Sequence, residues 1–361
     1  MVRKCPRKVA PMPDMPAPHT QAPNIQTLDI QAPDIQAPDI QAIEAAARRL
    51  DGHARRTPLL TSPFLDEIAG RRVFVKAECL QHTGSFKYRG AWSAVSALEP
   101  GLRAQGVIAY SSGNHAQGVA LAARQHRVPA VIIMPNDAPK MKIDNTRALG
   151  AEVVLYDRAA QDRDAIGLAL STQRGLTLIK PYDDAMVIAG QASTGLEIAE
   201  QAAAEGITAA DVLVCCGGGG LTSGIAIALA SRATGLRARP VEPAEFDDVT
   251  RSLATGTRQH NAHAAGSLCD AIVTPTPGAL TLPVMARLCG PGIVVTDDEA
   301  LRAVALAWSR LKVVLEPGGA VALAAALFHG DEIATPDVIC VASGGNVDPD
   351  VFARALAMLD G

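Results

Sequence analysis

No uninterrupted run of about 18 apolar residues occurs in this 361-residue sequence, which excludes a transmembrane helix of ordinary length. There is no basic excess either: 33 Lys and Arg face 37 Asp and Glu, a formal net charge of −4. Nucleic-acid or membrane-surface binding, which shows as a concentrated basic patch, is not expected from that balance. The opening MVRKCPRKVAPMP is basic but is not followed by the apolar stretch of a secretory signal. The seven cysteines, Cys5, Cys79, Cys215, Cys216, Cys269, Cys289 and Cys340, are odd in number and include no C-x-x-C pair. Zinc or a disulfide framework is therefore not expected, and reduced thiols in a cytoplasmic protein are. Two nucleotide signatures are also missing. No G-x-x-x-x-G-K-[ST] is present, and G-x-G-x-x-G fails at Gly217 or Gly218 because the third glycine position holds Thr222 or Ser223.

What is present begins with a leader. From Asp29 the chain reads DIQAPDIQAPDIQAI, a five-residue repeat punctuated by proline. Proline at that interval blocks a continuous helix, and the segment has little apolar surface to bury. Residues 1–41 are expected to be a disordered leader. Beyond it the pattern turns globular, and 48% of the chain is hydrophobic. Apolar, β-rich runs (Arg71–Ala77, Ala130–Met134, Val212–Cys215, Val338–Ala342) alternate with helical periods (Lys140–Leu149, Ser193–Glu205, Gly319–Phe328). That alternation predicts an α/β fold with mainly parallel sheets covered by helices on both faces. Two such blocks, 106–183 and the remainder, predict two sheets facing a cleft.

Four segments carry candidate chemistry. Thr83-Gly84-Ser85-Phe86-Lys87-Tyr88-Arg89-Gly90 places one lysine between glycines after a strand. Partial burial would lower its pKa and make it a nucleophile, whereas an exposed loop lysine would be inert. Ser111-Ser112-Gly113-Asn114-His115 follows a strand and opens a helix. The free N–H groups of a helix start suit a carboxylate, although ordinary N-capping explains many such clusters. Gly217-Gly218-Gly219-Gly220 lies between a strand and a helix. Four glycines are costly to order, which makes sense where backbone N–H groups must approach a phosphate. Ser343-Gly344-Gly345-Asn346 follows the last apolar strand, where open α/β sheets gather ligands and a serine can meet a heteroaromatic nitrogen. The acidic loop Glu242–Asp248 reads equally as a Mg²⁺ or Ca²⁺ site and as a solvated turn. Glu242 also stands about where a dinucleotide fold places its ribose-binding acid, so an NAD-dependent dehydrogenase is the alternative from a different class.

In this order, Ser-Phe-Lys-x-Arg-Gly, Ser-Ser-Gly-Asn-His, the glycine tetrad and Ser-Gly-Gly-Asn closely resemble the fold-type II pyridoxal-5′-phosphate (PLP) enzymes, in particular the serine/threonine dehydratase and serine racemase family. The resemblance covers about residues 42–356. It implies a tryptophan synthase β-like architecture of two three-layer αβα domains with the cofactor in the cleft. The large domain would comprise 42–105 and 184–361, and 106–183 a small mobile domain. Lys87 would carry the cofactor as a Schiff base beside Phe86, and Asn114 would bond its 3-hydroxyl. Gly217, Gly218, Gly219, Gly220 and the Leu221 N–H would cradle its phosphate, and Ser343 would face its ring nitrogen. Ser111, Ser112, Asn114 and His115 would hold the substrate carboxylate. Lys87 would take the α-proton, and Ser112 would serve as a second acid/base. Glu242, Asp248 and the Phe246 carbonyl would hold Mg²⁺ or Ca²⁺. The implied activity is β-elimination of L-threonine or L-serine to a 2-oxo acid and ammonia. Serine racemase or 3-hydroxyaspartate dehydratase is the alternative, the latter needing a cation for a second carboxylate; Arg163 is a candidate only by its position in the Asp162–Asp164 segment, where a solvated helix charge is the favoured reading. A homodimer is expected, and feedback by isoleucine is not, since the chain ends soon after Asn346. Cys269-Asp270-Ala271 departs from the Ala-Asp-Gly common in racemase-like members.

Overall fold

The structure is a computed structural model and describes residues 36–138, 140–157 and 160–359. The first helix, Ile40–Leu50, starts two residues inside the stretch expected to be leader. After Pro38 the repeat loses its proline, and the Asp39 side chain accepts the Ala42 N–H at 2.8 Å as an N-cap. Ile43, Ala46 and Leu50, spaced three and four apart, form the buried stripe. The rest of the expected leader, residues 1–35, lies outside the described residues.

The described residues form one compact unit with two sheets. The larger contains β1 (Leu59–Thr61), β2 (Arg72–Lys76), β7 (Ala210–Cys215), β8 (Leu236–Pro243), β9 (Ile293–Val295) and β10 (Asp337–Val341). Its order is β1-β2-β10-β7-β8-β9, parallel except for β1. The smaller contains β3 (Val107–Tyr110), β4 (Ala130–Pro135), β5 (Glu152–Tyr156) and β6 (Thr177–Leu178) in the order β5-β4-β3-β6, all parallel. Every residue of β7 and β10 is buried, which is why these strands read as continuous apolar runs rather than alternating ones.

Register decides where the site falls. Val341 of β10 pairs with Lys76 of β2 on one side and Val214 of β7 on the other. The carboxyl ends of three adjacent strands are therefore level. The segments that leave them, 77–87, 342–346 and 216–220, emerge together. The glycine spacing around Lys87 suggests a loop, but the lysine is the first residue of the helix Lys87–Ala97. Gly84 supplies a turn at φ 74°, and a Cβ there would sit 2.8 Å from Asn346 Oδ1. Gly90 lies inside the helix, where a Cβ would collide with Gln191 and Val187 of the helix Ala185–Ala204.

Candidate active site

A cavity of about 520 Å³ opens where these segments meet the smaller sheet, and a narrower hollow of about 50 Å³ shares Lys87, Asn114 and Tyr182 with it. The hollow collects Phe86, Lys87, Asn114, the four glycines, Leu221 and Ser343. The larger cavity collects Ser111, Ser112, Asn114 and His115. Residues far apart in sequence, expected to serve one cofactor and one substrate, thus line two connected spaces.

Lys87 Nζ donates to the Pro181 carbonyl at 3.0 Å and lies 5.3 Å from the centre of the Phe86 ring. Burial pushes its ammonium down to about 8, against the opposing pull of Glu316. Phe86 is fixed by its N–H to the Ser343 carbonyl at 3.1 Å, which ties the lysine segment to the end of β10. Ser343 itself is buried beside Cys215.

The glycine tetrad fits a phosphate by shape. A Cβ at Gly217 would meet the Ile272 carbonyl at 2.8 Å, and one at Gly218 the Tyr182 ring at 2.2 Å. Gly219 has φ 88°, and Gly220 is the first residue of the helix Gly220–Arg232, so free N–H groups and a positive helix end face the hollow. Thr222 Oγ1 and both polar ends of Gln191 are buried there without partners among the described residues. An aromatic aldehyde phosphate answers this set: a nucleophilic amine, a flat slot beside Phe86, a neutral hydroxyl at Ser343 and an anion cradle.

Asn114 is held from both ends. Its Nδ2 donates to Glu316 Oε1 at 2.6 Å, and its Oδ1 accepts from Asn346 Nδ2 at 2.6 Å. The second Nδ2 hydrogen remains for a ligand. Glu316 was missed by sequence reasoning, because a Glu before Pro317-Gly318-Gly319 reads only as the start of a helix. Burial raises its carboxyl to about 7. The ring of His115 is packed, and any hold on a carboxylate falls to its backbone. Its Nε2 bonds the Ile179 carbonyl at 2.8 Å, so that nitrogen carries the proton, and burial pushes the ring down to about 3. The neutral ring leaves only Nδ1, an acceptor, which cannot hold a carboxylate; the backbone N–H at the helix start can.

Glu242, Phe246 and Asp248 line neither space. The Glu242 carboxylate accepts the N–H groups of Val249 and Thr250 at 2.9 and 2.7 Å and the Thr250 hydroxyl at 2.6 Å. It caps the helix Asp248–Thr255 rather than facing a ribose. Asp248 accepts from Asn261 at 2.6 Å through Oδ1, while its buried Oδ2 has no partner among the described residues. Among the described residues no group of three His, Cys, Asp or Glu side chains forms a metal site. A cation here would rest on two carboxylates and a backbone carbonyl.

Comparison with known proteins agrees with this geometry. Residues 50–344 match the family model "Pyridoxal-phosphate dependent enzyme". The L-threo-3-hydroxyaspartate ammonia-lyase of a Pseudomonas species is 41% identical over 86% of this chain and 96% of its own. That of Saccharomyces cerevisiae is 37% identical over 86% and 94%. The crystal structure of a threonine deaminase from T.th. superposes with a TM-score of 0.81 at 42% identity, covering 86% of this chain and 99% of that one. The fold and site define a PLP-dependent enzyme of fold type II. Within that class the chain belongs to the threonine/serine dehydratase and serine racemase family, and PLP is its cofactor. The NAD-dependent reading falls with this assignment. Among the described residues no helix is long and apolar enough to cross a membrane.

Proposed function

We propose that the enzyme removes the β-hydroxyl of a dicarboxylic substrate, 3-hydroxyaspartate, releasing ammonia and a 2-oxo diacid. The observation that carries this reading is the basic lining of the larger cavity. Lys142, Arg163, Lys180 and Arg258 all reach it, in addition to Lys87, and outnumber the acidic Asp183, Asp270 and Glu316 that line it too. L-Threonine or L-serine, the substrate expected first from the sequence, has one carboxylate for the Ser111–His115 turn and no use for further cations. A second carboxylate has. Lys142 pairs only at 3.8 and 3.5 Å with Asp270 and Asp348, a loose arrangement that a substrate anion can displace. The two hydroxyaspartate ammonia-lyases among the relatives support the same choice.

In this reading Ser111, Ser112 and the N–H groups at the start of the helix Asn114–His126 hold the α-carboxylate. Arg163 and Lys142 hold the β-carboxylate. PLP, when bound, supplies the electron sink for charge developing at the α-carbon. Lys87, neutral above about pH 8, takes the α-proton. The β-hydroxyl leaves as water, and the resulting enamine tautomerises and takes up water to give oxo acid and ammonia. Ser112, which lines the same cavity, would return or remove a proton on the other face. Asn114 and Ser343 orient the ring, and Gly217–Leu221 the phosphate. A panel of 3-hydroxyaspartate isomers, L- and D-serine and L-threonine, scored for oxo acid, ammonia and enantiomer, tests the substrate. The kcat/KM for L-threo-3-hydroxyaspartate should exceed that for L-threonine about tenfold or more, the worth of one charge-assisted contact. Replacing Arg163 by Met should narrow that gap, whereas equal or better use of threonine contradicts the reading.

Glu242, Asp248 and the Phe246 carbonyl would hold Mg²⁺ or Ca²⁺, supported by the unpartnered Asp248 Oδ2. The cation would neutralise two buried carboxylates and brace the loop after β8. Chelation should lower the thermal midpoint and Mg²⁺ or Ca²⁺ restore it; a midpoint indifferent to both removes the site.

A further inference from the structure

Gln191 has no part in the scheme so far. It sits on the helix Ala185–Ala204, 1% exposed, and lines the narrow hollow with the glycine tetrad and Lys87. Neither end of its carboxamide has a hydrogen-bond partner among the described residues. Native proteins rarely bury an amide unpaired, because the lost hydrogen bonds cost free energy, so one that lines a ligand space calls for a partner there. Its position suits such a guest. A Cβ on Gly90 would lie 2.9 Å from Nε2 and one on Gly220 3.0 Å from Oε1, so the amide spans the gap between the lysine helix and the start of the phosphate helix. Rotation of the amide plane exchanges its two ends and turns the donor toward the tetrad. Thr222 Oγ1, also unpartnered, stands in the same hollow.

The helix that carries the amide is held against the lysine helix. Arg89, two residues after Lys87, bonds Ser193 at 3.1 Å and Glu197 at 2.7 and 3.1 Å on the helix that carries Gln191. A Cβ on the neighbouring Gly190 would lie 2.5 Å from the Arg89 carbonyl, so the two helices are in close contact. We propose that Gln191 is a ligand of the cofactor phosphate, its N–H donating to an oxygen that the tetrad holds from the other side. This rests on the cofactor and not on which hydroxy amino acid is used, so its failure leaves the substrate reading untouched.

The test compares PLP with pyridoxal, which lacks the phosphate. Both are titrated into the protein freed of cofactor, wild type and Gln191→Met. Expected is a PLP Kd about tenfold higher or more in the variant, the effect of losing a hydrogen bond to a charged group, with pyridoxal affinity unchanged. The phosphorus NMR resonance of the bound cofactor should also move. A PLP Kd within twofold of wild type, or equal losses for PLP and pyridoxal, overturns the proposal. Should Q191M fail to fold, Gln191→Glu keeps the shape and places a carboxylate beside the phosphate. Its PLP affinity should fall further still while pyridoxal binds as before, and unaltered PLP affinity overturns the proposal equally.

Discussion

Lys87→Ala yields a folded protein whose turnover falls about a thousandfold or more, since one side chain is lost both as cofactor anchor and as proton acceptor. Folding survives because the lysine side chain makes, among the described residues, a single hydrogen bond, to Pro181, and lies at the first position of its helix. The variant should also lose the visible absorption of a lysine-bound cofactor. Wild-type protein freed of PLP adds a pH test. An ordinary lysine is mostly protonated until pH 10.5, but this one is pushed down to about 8. Lowering an amine pKa enlarges the neutral, reactive fraction at lower pH. The rate of cofactor capture should therefore climb with pH and level off above about 8. Retained activity in the variant, or a capture rate still climbing toward pH 10, would overturn the assignment.

Arg89→Met should be the most destabilising single change near the site, by about 3–5 kcal/mol, the usual result of breaking a buried ion pair from one side. Arg89 is 1% exposed and faces two carboxylates. Its Nε and one terminal nitrogen fork onto Glu78 at 2.8 and 2.9 Å, and it reaches Glu197 besides. Lys76 Nζ joins the same cluster through Glu197 at 2.5 Å and the Thr57 carbonyl at 2.8 Å. Removing Arg89 leaves one buried cation, Lys76, against the buried Glu78 and the partly buried Glu197. Denaturant unfolding of the cofactor-free protein measures the loss. Adding Glu78→Gln to Arg89→Met should recover part of it, because the orphaned charge goes too. A loss below about 1 kcal/mol, or losses that simply add, would mean that the cluster does not brace the lysine helix.

The legible parts of the sequence are those with a strong local cause. Four glycines in a row have no cheap structural excuse, and they line the narrow hollow at the start of the helix Gly220–Arg232. The apolar runs that become β4, β7 and β10 are buried on both faces, so their pattern survives without knowledge of the fold. Strands of two or three residues, β1, β6 and β9, carry too little pattern to be seen. The helix after Lys87 is hidden because Gly84 and Gly90 resemble loop punctuation, yet one makes a turn and the other a helix contact. Glu316 and Gln191 are invisible for a different reason. Each looks ordinary in its own helix, and each matters only through a partner brought close by the tertiary fold, Asn114 from 202 residues away in the first case. His115 shows the converse: its motif is legible, but its ring donor is spent on Ile179, a contact that only the smaller sheet provides.

The central claim is that one lysine, at the junction of the two spaces, carries the cofactor. Borohydride reduction of the holoenzyme followed by mass spectrometry of its proteolytic peptides tests it most directly. The account predicts a phosphopyridoxyl group on the peptide containing Lys87 and on no other. A label on Lys142, Lys180 or another lysine, or no label on a protein that retains its activity, would contradict it.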